Sequence, residues 1–453
     1  MCASLYVYSV TVCLPLRLPV SRQSRYLSGI TMQSTTRVLI LLSSAFVAAT
    51  LNIQGFIGMM PLIQLDFGIS AAEAGLYTSF YFASATIVAV FAGRKVDTLG
   101  TGASLSIAVA VIGVMMLLHA VSPAYLIILG LAFVTGIGFS LITPSVSKGI
   151  RDSVAPAKRA GAMGIAHGFG GLGALLGTAV MPSVAALAGW RGVLTVGAVF
   201  ALVTALLIRV FWARVAGPAV QQEAGSERGA MLSDMRLLLA NRRLMVLGLV
   251  GLVFGVAISS ATAHSALFLT RDLGYTPAFA GIALSILYVG SIVGQPSWGL
   301  INDRLLGGRR RRGLLVLGFL IAAISLVFGL VLSPTGLLAP AAGVPVPVLL
   351  LMMFLLGFTI FGMPPLYFTA IGEITAPEYT GVATGLGLVF TRTGVVVAAP
   401  LFGLLYDLTG TYTLSWLVLS LVVTTLSASV VVLSRRYPME QGLAQEPASE
   451  ALS

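Results

Sequence analysis

Apolar residues fall along this chain in long runs separated by short polar punctuation. Roughly 20 apolar residues cross the hydrocarbon core of a bilayer, and the runs predict about twelve such helices. They lie at about 37–60, 72–93, 102–121, 124–147, 160–187 and 190–212, then, past one long polar stretch, at about 243–269, 278–300, 313–332, 347–370, 380–406 and 412–434. One punctuation mark organises the others. Gly299-Leu300-Ile301-Asn302-Asp303-Arg304, followed by Gly307, Gly308 and the arginines Arg309 to Arg312, closes one run and opens the next, and reads as a short polar loop between helices. The same design occurs at Gly93-Arg94-Lys95-Val96-Asp97 with Gly100.

These two stretches belong to a long repeat, since 303 − 97 = 206 and 299 − 93 = 206. Upstream, Leu65-Asp66-Phe67-Gly68 through Gly75 lines up with Arg271-Asp272-Leu273-Gly274 through Gly281 at the same offset. Downstream the offset becomes 221, where Pro144, Asp152, Pro156 and Gly164 match Pro365, Glu373, Pro377 and Gly385. Two halves therefore repeat in the same direction. The extra residues fall in the arginine loop and in the Pro-rich 333–347 connection, where insertion costs little.

Composition agrees with a membrane protein. Of 453 residues, 57% are hydrophobic and 9% charged, with a mean hydropathy of +1.00. The net charge of +11 would suit nucleic acid, but its placement excludes that reading. With the N-terminus in the cytosol, the basic residues crowd the inner loops: Arg94, Lys95, Lys148, Arg151, Lys158, Arg159, the 214–243 stretch and Arg304 to Arg312. The outer loops hold Arg191 and Arg271. This positive-inside bias predicts a multi-pass protein of the cell membrane (the inner membrane in a Gram-negative cell) with both termini cytoplasmic. The domains expected are an extension at 1–36, a six-helix bundle at 37–213, a cytosolic linker at 214–242, a second bundle at 243–435 and a tail at 436–453. The extension holds the two cysteines, Cys2 and Cys13, and reads as disordered or as lying ahead of a true start at Met32. Gly217-Pro218 opens the linker, and Ser233 would cap a short helix within it. Glycines spaced by four, Gly164 with Gly168 and Gly173 with Gly177, would let the fifth helix approach a neighbour closely.

The paired Gly-x-x-x-Asp segments, inside two six-helix halves in parallel repeat over about 37–435, resemble the signature of the major facilitator superfamily. The second copy has the Asp-Arg pair and the basic cluster, with Gly307 one position late; in the first, Thr98 stands where the arginine would be and Thr101-Gly102 replace the later basic pair. The resemblance implies an all-α membrane protein of twelve helices in two bundles. It also implies a conformational lock built from Gly93, Asp97, Gly100, Gly299, Asp303 and Arg304, each Asp sitting against a neighbouring helix end. A carboxylate there gains about 0.3–1 kcal/mol, enough to bias a near-balanced equilibrium. Thr143-Pro144 through Arg159-Ala160-Gly161-Ala162-Met163-Gly164 resembles bacterial permeases of small inorganic and organic anions. Two departures speak against drug efflux. Ala132 stands three residues before Thr135-Gly136-Ile137-Gly138, where many proton-coupled members carry arginine, and Phe169 rather than proline follows Gly168.

None of the fifteen acidic residues falls mid-helix, yet Arg392 does, about twelve residues into the eleventh helix. An arginine at mid-membrane costs about 2.5–3.5 kcal/mol on insertion scales and should face a cavity or a partner. No carboxylate lies at a matching depth, so an anionic substrate is one partner and backbone carbonyls are the other. His167 corresponds to Leu388 in the repeat, one turn before Arg392, so the two residues are expected to face one cavity. His264, Asn52, Gln54, Tyr81, Tyr288, Gln295 and Tyr367 are further lining candidates. No paired carboxylates, metal-ligand cluster or nucleophile–base set occurs within the helices, so neither an enzyme nor a cofactor or metal is expected. The expectation is a secondary transporter of a small solute, preferably an organic or inorganic anion, with protons or a counter-substrate as the coupling partner. Export of neutral or drug-like compounds, and a non-transporting sensor, stay open as alternatives.

Overall fold

The computed structural model describes residues 32–155, 158–215, 238–339, 343–375 and 380–436. The expected N-terminal extension up to residue 31, the Ser233-capped linker helix, Pro156, Pro377 and the tail beyond Arg436 lie outside them. No strand occurs among the described residues. The first half contains α1 (Met32–Gly58), α2 (Met60–Phe67), α3 (Ala71–Leu99), α4 (Thr101–Ala120), α5 (Tyr125–Ser140), α6 (Ile142–Ser153), α7 (Arg159–Ala188) and α8 (Trp190–Val215). The second contains α9 (Arg242–Arg271), α10 (Pro277–Leu305), α11 (Arg310–Val327) with a π turn over Phe328–Leu332, α12 (Val346–Ile360), α13 (Met363–Ile374), α14 (Thr380–Thr409) and α15 (Thr413–Arg436). Joined end to end where they are merely interrupted, they make twelve membrane helices in two six-helix bundles. Eleven spans are long and apolar enough to cross a membrane among the described residues, and α3 completes the set with its charged residues confined to its ends.

Three expected helices are broken, and each break has a proline behind it. Pro61, Pro144 and the pair Pro364-Pro365 cannot donate to the carbonyl one turn back, so the ladder is interrupted at Met59, at Leu141 and at Phe361-Gly362. The last two breaks coincide under the repeat, since 362 − 141 = 221. Other helices overrun their apolar stretch. The Gly-x-x-x-Asp segments, expected as loops, are the final turns of α3 and α10, and the chain turns only at Gly100 (φ 80°) and at Gly307-Gly308 (φ 70° and 71°). Hydrophobic length marks where the bilayer would end, not where the helix does.

The repeat is visible in turns and in clasps. Gly68 and Gly274, 206 apart, take φ 65° and 69°; Gly189 and Gly410, 221 apart, take 77° and 72°. At the end remote from the arginines, Asp66 accepts hydrogen bonds from Trp190 Nε1 (3.2 Å) and from Arg191. Its counterpart Asp272 accepts from Tyr412 N (2.7 Å). Each carboxylate thus ties the end of its bundle's first span to the start of its last.

Helices pair identically in both halves: α1 with α7 as α9 with α14, α3 with α5 as α10 with α12, α4 with α8 as α11 with α15. Glycine permits the first of these contacts. A Cβ on Gly173 would stand 2.7 Å from Val47 O, one on Gly177 2.3 Å from Leu51 O and one on Gly255 1.8 Å from Thr391 O. Gly164 and Gly168, expected to do the same, have nothing within 4 Å. Gly136 and Gly138 are packing residues too, since a Cβ on the first would collide with Tyr81 O and one on the second would stand 3.1 Å from Ala108 O.

Gly255→Ala should therefore destabilise the purified protein by about 1–3 kcal/mol, whereas Gly164→Ala should leave its thermal midpoint unchanged; equal midpoints would remove the packing argument. Asp272 yields a second expectation. Burial pushes its carboxyl up from 3.8 to about 6, against the opposing hydrogen bonds from Tyr412 and Ser333. The folded state then binds more protons than the unfolded one between about pH 4 and 6, so this residue's contribution falls as pH rises through that window. Melting curves should show Asp272→Asn gaining on the native sequence from about pH 4 to about pH 6, and a constant difference would refute the assignment.

Candidate functional site

The two bundles meet along two lines, α3 against α14 and α7 against α10, and only over half their length. From the end remote from the arginines inwards, Gly403 lies under Ala71, where a Cβ would stand 2.2 Å from the carbonyl oxygen, and Gly75 lies under Ala399 at 2.5 Å. Ser79 Oγ then donates to Val396 O at 2.6 Å, and Arg392 Nη1 to Ala85 O at 2.6 Å. Along the other line, a Cβ on Gly281 would meet Thr178 O at 2.4 Å, and one on Gly171 would meet Ile292 Cγ1 at 3.1 Å. Between the lines Tyr288 Oη donates to Gln54 Oε1 at 2.7 Å. Beyond Arg392 and Gly171, which are counterparts (392 − 171 = 221), the helices of the two lines separate. Gly161, Gly164, Gly168, Gly299 and Gly385 have nothing within 4 Å of a would-be Cβ. The result is a cleft open toward the arginine-rich end and closed at the other.

Arg392 stands at its apex, half-buried. It pairs with no carboxylate among the described residues, and its hydrogen bond to Ala85 O engages one of five N–H donors. Tyr81, buried, faces its charge, and the Tyr81 hydroxyl makes no hydrogen bond. His167 is exposed, with its ring 4.8 Å from that of Phe46, on the α7 face that also carries Gly164, Gly168 and Gly171. Gln54 and Tyr288 form the closure just described, and Gln295 is half-buried with its amide 3.4 Å from Ser291 Oγ.

Three expected lining residues instead hold helices together. Asn52 is wholly buried and donates to Ala48 O and Gly197 O, both at 2.9 Å, fixing α1 to α8. His264 is wholly buried, donating from Nε2 to Ala399 O at 2.7 Å with Nδ1 3.3 Å from Tyr412 Oη. Tyr367 is buried and donates to Gly387 O at 3.2 Å. Polar groups so deep need partners, and the backbone supplies them. Depth along a helix is readable from sequence, but the direction a residue faces at that depth is not.

The carboxylates expected at the lock have side-chain partners. Asp97 accepts from Lys148 Nζ (2.8 Å) on α6, and Asp303 binds Arg310 Nη1 (2.5 Å), whose Nε reaches Glu373 (3.2 Å) on α13. Arg304, also expected in the lock, is exposed. Each pair stays within its own bundle. The missed partners Lys148, Arg310 and Glu373 read as ordinary inner-loop charges, though the matching of Asp152 with Glu373 in the repeat was a signal at that position.

Comparison with known proteins follows the same lines. The chain is 24% identical over 373 residues to a probable sulfoacetate transporter of Cupriavidus necator, covering 79% of this chain and 84% of that one. It is 20% identical over 363 residues to a hexuronate transporter of Bacillus subtilis, covering 78% and 83%, and 33% identical over 151 residues to monocarboxylate transporter 13 of Bos taurus, about a third of each chain. Among solved structures, a bacterial homologue of the human lysosomal transporter Spinster, in an inward-facing and unoccupied conformation, superposes with a TM-score of 0.73 at 16% identity, over 91% of this chain and all of that one. A POT family transporter gives 0.74 at 14% identity, over 89% and 97%. The Major Facilitator Superfamily model matches residues 42–270 and 253–452, and this chain belongs to that superfamily of membrane solute transporters.

Proposed function

We propose that the protein moves a small anion bearing a carboxylate across the cell membrane by alternating access, with Arg392 as the anion-recognition residue. The observation that carries this reading is the guanidinium at the cleft apex, with one backbone carbonyl as its hydrogen-bond partner and no carboxylate paired to it among the described residues. Removing such a charge from water is costly unless something neutralises it, and a carboxylate presents the planar pair of acceptors that arginine's fork matches. The names of the three relatives, sulfoacetate, hexuronate and monocarboxylate, are all those of carboxylate anions. His167 is the one of the chain's three histidines that is exposed, which makes it the candidate for a titrating group at the cleft wall. Gln54, Tyr81, Tyr288 and Gln295 complete the proposed lining, and Asp97 and Asp303 with their partners the proposed locks.

The positive-inside bias orients the arginine-rich end and both termini to the cytosol, so the cleft is inward-open and the Gly75, Gly281 and Gly403 contacts form the outer gate. The uncontacted glycines of the inner half are then the surfaces that would meet when the inner gate shuts.

Two measurements test this. In protein screened against monocarboxylates, hexuronates and sulfonated carboxylates, Arg392→Ala should weaken the best ligand roughly 10- to 150-fold, the worth of a hydrogen bond to a charged group. Arg392→Lys should recover part of that, and unaltered affinity in well-folded Arg392→Ala protein would make the residue structural. Separately, Gly164→Leu should leave folding and ligand binding intact yet abolish flux in proteoliposomes, because the added side chain has room only in the open cleft. Native flux in that variant would argue against inner-gate closure at this position.

A further inference from the structure

At the outer end of the interface between the bundles, the start of α3 has its early amides fully accounted for. Ser70 Oγ accepts from Glu73 N (3.1 Å), Glu73 Oε2 accepts from Ser70 N (2.8 Å), and Ala74 N donates to Ser70 O (3.1 Å). The remaining two are served from the other bundle: Ala71 N donates to Asp407 Oδ1 and Ala72 N to Asp407 Oδ2, each at 2.8 Å. One turn earlier on α14, Gly403 lets the helix come close enough for the carboxylate to reach. The other line of contact cannot do this. The repeat puts Pro277 opposite Ala71 (277 − 71 = 206) and Ala186 opposite Asp407 (407 − 186 = 221), so the donor has become an imino acid and the acceptor a methyl.

We propose that Asp407 is a one-sided latch of the outer gate, capping the N-terminus of α3 while the gate is shut and releasing it when the bundles part. The proposal rests on the alternating-access reading. Opening at the α3–α14 line must separate a carboxylate from two amides and a helix-dipole end, while the α7–α10 line parts without breaking any such pair. The latch therefore weights the equilibrium toward the inward-open state, and the α3–α14 edge is the one that resists opening.

The test uses the full chain with Cys2→Ser and Cys13→Ser. Spin labels go on cysteines at Val121 and Leu337, both exposed at the outer end of opposite bundles. Distance distributions are measured in nanodiscs without ligand and with saturating sulfoacetate. Asp407→Ala should raise the ratio of long to short distances about two- to fivefold, the range for a carboxylate at an exposed helix N-terminus. Ala71→Pro should do the same: it removes a donor while α10 itself begins with proline at the equivalent place, so the helix start survives even if Asp407→Ala does not fold. Two populations in the unsubstituted chain with no shift in either variant would overturn the latch and leave alternating access standing. A single, invariant distance in every sample would overturn both.

Discussion

Backbone-to-backbone approach is the constraint on which this structure depends. Helices α1 and α7, α9 and α14, and the two lines between the bundles all come within the distance that a single Cβ would occupy, as at Gly255 beneath Thr391 O and Gly75 beneath Ala399 O. Lipid gives helices no hydrophobic reason to associate, so contact of this kind supplies the dispersion that holds a bundle in a membrane. Where the contact is permanent it builds the bundles. Along the α3–α14 and α7–α10 lines it is made over one half only, and the unmade half is the cleft.

Charge is distributed in accordance with that geometry. The described acids lie near helix ends, and five of them act as fasteners there. Asp66 and Asp272 secure the last span of each bundle, Asp97 and Asp303 hold the arginine-rich ends, and Asp407 crosses between bundles. Among the described residues, Arg392 is the deep charge paired with no acid. These acids are engaged in fastening, and the hydrogen-bond partner of Arg392 is a backbone carbonyl.

Much of this was legible beforehand, for physical reasons. The repeat survives in residues whose backbone or charge is special, such as Gly68 with Gly274 and Asp97 with Asp303, so the two-bundle plan could be read by subtraction. Arg392 was conspicuous because its apolar surroundings are not. Pro144 and Pro364 mark the interruptions at Leu141 and Phe361, but hydrophobicity continues straight through them, so it shows no break. Asn52, His264 and Tyr367 looked like lining and proved to be fasteners, since a sequence gives depth but not bearing. Asp407 could not be assigned at all: its partners are amide hydrogens 335 and 336 residues away, and a backbone donor has no letter of its own.

The broken fourth and tenth spans carry a mechanical meaning. Beyond each break hangs a rod of 12 residues, α6 or α13, about 18 Å long at 1.5 Å per residue. Each rod bears an ion-pair partner: Lys148 grips Asp97 from α6, and Glu373 joins Arg310 and Asp303 from α13. The ion pairs thus act on levers whose fulcrum is the proline break, rather than on a bundle as a solid block. The seams along which this molecule can give run through the bundles as well as between them. A displacement at the arginine-rich ends of α3 or α10 can be absorbed by tilting a lever before the far half of the same span feels it.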